Sequence, residues 1–156
     1  MKTFIFDMDG LMFDTERVYI EACNHAGERT GFPDAGTVAL GTLGMTVELS
    51  NRIWKEAYGI DFGDSVLREE IQAYIKRYYQ ENPVPVKKGL YELLDYLMDN
   101  SCKLAVASST ERRIVLERLE NAGVRDYFQI VLGGDTIGHS KPEPDIYLEA
   151  CRQLGE

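Results

Sequence analysis

The sequence predicts an α/β fold in which a parallel-sheet core is interrupted by an all-helical insertion, and three observations predict it. A short apolar run opens the chain and ends in an acid at residues 3–7, which suits a buried strand of a parallel sheet better than a half-exposed one. Residues 15–83 then carry helical spacing with no strand signal. From residue 84 to 156 strand and helix patterns alternate, as they do in strand-helix-strand units of a parallel sheet.

Each element follows from local pattern. The first strand runs from Thr3 to Asp7. Thr15 stands as an N-cap before Val18, Ala22, Cys23 and Ala26, and Gly27 and Gly31 stop that helix. Thr46 caps a second helix whose Leu49, Ile53, Trp54 and Ala57 share one face, with Gly59 as its stop. Leu67, Ile71, Tyr74, Ile75 and Tyr78 make a third, and Pro83 and Pro85 close the helical block. Leu90, Leu93, Leu94, Leu97 and Met98 then recur at helical intervals before a strand from Lys103 to Ala107. A helix from Glu111 to Ala122, an apolar strand from Phe128 to Leu132 and a helix after Lys141 complete the order. Residues 1–14 and 84–156 are therefore read as the core and 15–83 as an inserted helical domain.

Composition narrows the function. The chain has 156 residues, 44% of them hydrophobic, enough for one well-buried core with a small appended domain. A net charge of −9 without any Lys/Arg run repels phosphate backbones and anionic membranes, so neither nucleic acid nor membrane is an expected partner. The three cysteines, Cys23, Cys102 and Cys151, lack metal-type spacing and fit a reduced, cytoplasmic chain. Asp7 and Asp9 break the apolar N-terminus, so no signal-peptide core forms, and no stretch approaches the roughly 20 apolar residues of a membrane span.

In parallel α/β sheets ligands bind beyond the carboxyl ends of the strands, and polar chemistry stands at that edge three times. Asp7 and Asp9 follow the first strand, Ser108, Ser109 and Thr110 the second, and Lys141 lies in the loop after the third. Two acids flanking one residue can divide labour if the chain turns sharply, and Gly10 allows the turn. One attacks as a nucleophile while the other carries a proton. A phosphate dianion beside carboxylates needs positive charge, from a divalent cation and from a fixed lysine such as Lys141. Ser108 adds a hydroxyl, and backbone N–H groups near Ser109 and the helix start at Glu111 can take phosphate oxygens. Taken singly, Ser108 reads more readily as a strand-end cap and Lys141 equally well as a solvated loop residue. His25, on a polar helix face, and His139, on a loop, receive no role, and Trp54, Tyr74, Tyr78 and Tyr79 read as packing.

Asp7-Met8-Asp9-Gly10-Leu11-Met12-Phe13-Asp14-Thr15-Glu16 closely resembles the first motif of the haloacid-dehalogenase-like hydrolase superfamily, in the branch of β-phosphoglucomutase and phosphoglycolate-phosphatase-like enzymes. Val106-Ala107-Ser108-Ser109-Thr110 resembles its second motif and Ser140-Lys141-Pro142-Glu143-Pro144-Asp145 its third. The resemblance implies a Rossmann-like core with a helical cap, and a Mg²⁺-dependent phosphatase of a small phosphorylated metabolite. It makes Asp7 the nucleophile and a metal ligand, and Asp9 the general acid/base, lending the metal its backbone carbonyl. Ser108, Ser109 and Lys141 hold the phosphoryl group.

The chain also departs from that pattern. Tyr19 stands where the branch's sugar phosphomutases carry a cap His. If Gly44-Met45-Thr46 is the cap loop, Val47 stands where they carry an Arg. Lacking that fork for a second phosphate, the chain favours hydrolysis over the alternative, mutase chemistry. Members of this branch continue into a fourth motif whose acidic pair completes the Mg²⁺ site, so the core is expected to be incomplete, with its C-terminal strands missing and water filling the metal's octahedron. The absent strand would leave Thr3–Asp7 as an apolar sheet edge open to self-association, and a catalytically impaired interaction module is the alternative from outside the enzymes.

Overall fold

In the computed structural model, which describes residues 2–45 and 47–156, β1 (Thr3–Phe6), β2 (Lys103–Ala107) and β3 (Ile130–Leu132) form one parallel sheet in the order β1-β2-β3. Phe6 lies opposite Val106, and Ala107 opposite Leu132. The central strand is buried without interruption from Leu104 to Ala107, as a strand flanked and covered on both sides must be. β1 is different. It pairs along one side only among the described residues, and of its four residues Phe6 alone is buried while Phe4 is 38% exposed. The expectation that the whole run is buried is corrected accordingly.

Three helices belong to the same unit as the sheet: α5 (Leu90–Asp99), α6 (Arg112–Asn121) and α7 (Asp145–Leu154). α7 places Ile146, Ala150 and Leu154, spaced one helical turn apart, on Ala105, Ala107 and Leu132. Phe6 and Phe128 meet edge to face at 5.8 Å. On α5, Leu90, Leu94 and Leu97 are buried, but Leu93 and Met98, assigned to the same stripe, lie to its sides and are exposed.

By contacts the chain separates into Met1–Asp14 with Pro83–Glu156, and Thr15–Asn82. The second unit holds α1 (Thr15–Thr30), α2 (Ala35–Leu40), α3 (Val47–Tyr58) and α4 (Val66–Glu81). Its core gathers Ala22, Cys23 and Ala26 of α1, Leu67 and Ile71 of α4, and a fully buried Trp54. The indole stacks on Phe62 at 4.5 Å with the ring planes 8° apart. Ser65 caps α4 by accepting the Arg68 N–H at 3.2 Å. Thr46, the expected cap of α3, lies outside the described residues.

Three details differ from expectation here. α1 runs through Gly27 and ends before Gly31, whose φ is 79°. Gly27 is instead a point of close approach, since a Cβ there would collide with the Phe32 carbonyl. α2 has no apolar stripe long enough to be read from the sequence. His25 is half-buried rather than solvent-facing: its Nδ1 is enclosed with no hydrogen-bond partner among the described residues, and its ring leans on Tyr74 at 5.0 Å. No helix among the described residues is long and apolar enough to cross a membrane.

Candidate active site

The loop after β1 is shaped by what it buries. Met8, Met12 and Phe13 are fully enclosed, and the Met8 carbonyl accepts the N–H groups of Met12 and Phe13 at 3.0 and 3.2 Å. Gly10, at φ 76°, makes the turn and donates its N–H to the Phe13 carbonyl. Asp7 and Asp9 flank the buried Met8 and remain part-exposed. The loop is then tied to the returning chain: Asp14 N–H donates to the Pro85 carbonyl at 2.7 Å and Lys87 N–H to that of Met12 at 2.9 Å.

Asp7 is paired with a cation. Its Oδ1 accepts Lys141 Nζ at 2.8 Å and the Met8 N–H at 2.9 Å. Lys141 also donates to the Ala107 carbonyl at 2.9 Å, at the end of β2, and its ammonium lies 5.0 Å from the centre of the Tyr147 ring. Burial alone would lower the Lys141 pKa. The hydrogen bonds to Asp7 and Tyr147 outweigh it and raise the pKa above the ordinary lysine value.

Asp9 is held from the other two directions. Its Oδ2 accepts Thr110 Oγ1 at 2.7 Å and Ser108 Oγ at 3.4 Å, and its Oδ1 accepts Arg118 Nη1 at 2.7 Å. Ser108 is fully buried and also accepts the Thr110 N–H at 3.0 Å. Both readings of this serine therefore have a physical basis: it closes the turn after β2, and it faces the acids.

The backbone donors at the start of α6 need a correction. Arg112 N–H donates to Asp135 Oδ1 at 2.7 Å, a cap supplied by the loop after β3, and the Thr110 N–H is taken by Ser108. Ser109, which is exposed, makes no hydrogen bond among the described residues, so its N–H and hydroxyl stay open to a phosphate, as does the Glu111 N–H. The structure thus joins Asp7 to Lys141 and Asp9 to Ser108, with Ser109 at the same strand end. Thr110 stands at that end in the sequence without an assigned role, and nothing in the sequence singles out Arg118. Its only sequence signal is helical spacing on α6, which does not say which face meets the acids.

The donor set suits a hard, oxygen-seeking cation such as Mg²⁺ in kind and is short in number. Asp7 Oδ2 has no protein partner among the described residues, and the Asp9 carbonyl belongs to the same loop. No group of three or more His, Cys, Asp or Glu able to hold a metal occurs among the described residues.

In the helical unit a cavity of about 360 Å³ is lined by Tyr19, Thr42, Asn51, Phe62 and Arg68, among others. Burial pushes the Cys23 thiol up to about 12, against a hydrogen bond with Tyr19 that works the other way.

Residues 4–156 match the family model described as haloacid dehalogenase-like hydrolase. A phosphorylated carbohydrates phosphatase from Thermotoga maritima is 32% identical over 160 residues, covering 99% of this chain and 71% of that protein. A phosphoglycolate phosphatase from Aquifex aeolicus is 29% identical over 163 residues, covering 100% of this chain and 71% of its own length. The crystal structure of a candidate β-phosphoglucomutase from Thermotoga maritima aligns with a TM-score of 0.77 at 32% identity, over 100% of this chain and 72% of the other.

Proposed function

The chain belongs to the haloacid dehalogenase-like hydrolases, and from that premise we propose that it is a Mg²⁺-dependent phosphatase of a small phosphomonoester that works through an aspartyl phosphate. The observation that carries the proposal is the pairing of Asp7 with a charged Lys141 at 2.8 Å beside a second acid, Asp9, anchored on Ser108. Named phosphatases among the relatives support the same reading.

Asp7 attacks phosphorus and the ester P–O bond breaks, while Asp9 gives its proton to the departing alkoxide. Water then adds to phosphorus, its proton returns to Asp9, and the bond to Asp7 breaks to release phosphate. Lys141, held charged against Asp7, offsets the negative charge that gathers on the phosphoryl oxygens, with Ser108 and Ser109 as neutral donors. Asp7 and the Asp9 carbonyl would hold Mg²⁺, which supplies further charge neutralisation when bound.

The acid-quenched protein, after reaction with a panel of sugar phosphates and phosphoglycolate, should carry phosphate on Asp7, and Asp7→Asn should abolish both the label and turnover. Turnover by the Asn variant at the wild-type rate would reject the nucleophile. Likeness to a candidate β-phosphoglucomutase favours a mutase as second reading; release and recapture of a bisphosphate would establish it. Cytoplasmic residence and a small phosphorylated metabolite as partner belong to the same proposal. So does pairing of the β1 edge with another strand, which the one-sided pairing and exposed Phe4 support.

A further inference from the structure

We propose that Arg118 is a positioning residue: with Thr110 it fixes the carboxylate of Asp9 for proton transfer. The inference rests on the reading of Asp9 as the acid/base. Asp9 lies in a loop, on a side chain that is 35% exposed, and by itself would sample several orientations. Arg118 comes from a helix and is only 16% exposed. Its Nη1 meets Oδ1 at 2.7 Å while Thr110 Oγ1 meets Oδ2 at the same distance, with Ser108 Oγ a longer second donor to Oδ2 at 3.4 Å, so both oxygens are anchored. Two points of attachment define the plane of the carboxylate where one would leave it free to rotate. A rigid donor on the helix, rather than the loop itself, thereby sets where the proton is offered.

A displaced general acid costs turnover and leaves binding intact. Arg118→Gln should lower kcat about 10²-fold, the scale of a small misplacement of a reacting group. KM for the phosphomonoester and the inhibition constant of inorganic phosphate should stay within about threefold. Arg118→Lys, which keeps the charge but loses the planar fork, should recover part of the loss. The decisive step is a double-mutant cycle. In an Asp9→Asn background Arg118→Gln should cost nothing further, because its action runs through Asp9.

An unchanged kcat in a folded Arg118→Gln protein overturns the inference, and so does an equal loss with and without Asp9. If Arg118→Gln does not fold, Thr110→Val, which removes the other attachment, is put through the same cycle and decides on the same criteria. Asp9→Asn with full turnover overturns the acid/base reading and this inference together. A slow Asp9→Asn with a silent Arg118→Gln overturns the inference alone.

Discussion

The two units of this chain solve the burial of polar groups in opposite ways. In the helical unit the interior polar groups are uncharged: the Cys23 thiol, whose pKa burial raises, and the Trp54 indole N–H lie among aromatic and aliphatic side chains. In the α/β unit charges converge at the ends of β1 and β2, and each is matched: Asp7 by Lys141, Asp9 by Arg118. Burying a neutral donor left unpaired among the described residues, such as the Trp54 N–H, costs about 1–3 kcal/mol, which the apolar packing around it offsets. Paired charges cost more to desolvate and are worth keeping where a charged group must be bound. Packing and the proposed chemistry are thus divided between the units.

Substitutions that exchange the two strategies should show the division. The largest effect is expected at Lys141→Met, which removes the cation facing Asp7. Turnover should fall about 10²–10³-fold, the usual loss when one charge-stabilising donor is deleted. The melting temperature should change little, because Asp7 is 44% exposed and regains water. Steady-state kinetics and a thermal melt on the same preparation check both halves. Trp54→Ala should do the reverse. It empties a fully buried site stacked on Phe62 and should cost about 3–5 kcal/mol, read by circular dichroism in denaturant since Trp54 is the only tryptophan. At denaturant concentrations where the variant is folded, chemistry at Asp7 should persist. An equal loss of activity in both variants would dissolve the comparison.

The division was partly legible in the sequence. The strand ends announced themselves because the carboxyl edge of a parallel sheet is the place where Asp7, Asp9, Ser108 and Lys141 would otherwise make no sense together. The strands themselves followed from continuous apolar runs, β2 to the residue. What remained hidden was tertiary. Arg118 and Asp135 act from elements distant in sequence, one clamping Asp9 and the other capping α6, and no local pattern encodes either contact. α2 is too short for periodicity to reveal. His25 looked polar because a helix with a moderate stripe does not show which of its flanks another helix covers.

Alkaline pH should expose the neutral strategy. Burial raises the Cys23 pKa from 9.0 to about 12 in the folded protein. A raised folded pKa means that the protonated thiol favours folding, so the contribution is intact below pH 9 and is lost as pH rises through 12. At pH 10, one unit above the unfolded value, the loss is on the order of 1 kcal/mol. Chemical melts of wild type and Cys23→Ala between pH 8 and 10 should therefore converge as pH rises. Parallel curves would show that the thiol ionises alike in both states and that the interior is wetter than its packing implies.

The smallest effect tests a charge pair with no chemistry to perform. Lys87 Nζ stands 2.7 Å from Asp14 Oδ1, where the outgoing and returning chains run side by side, with the two side chains 39% and 32% exposed. The same place is bridged by Asp14 N–H to Pro85 and by Lys87 N–H to Met12, bonds that do not need the lysine side chain. Exposed pairs contribute about 0.2–1 kcal/mol and weaken in salt, because at 0.1 M the screening length is only about 10 Å. Lys87→Met should thus lower stability by less than about 1 kcal/mol at low ionic strength, and the difference should shrink towards zero at high salt. Denaturant melts of both proteins at two salt concentrations measure it. A salt-independent loss well above that range would mean that the ion pair, and not the backbone bridge, holds the two segments together. The matched charges of the α/β unit would then be structural as well as chemical, and the division between the units would be less sharp than the Asp7 and Trp54 sites imply.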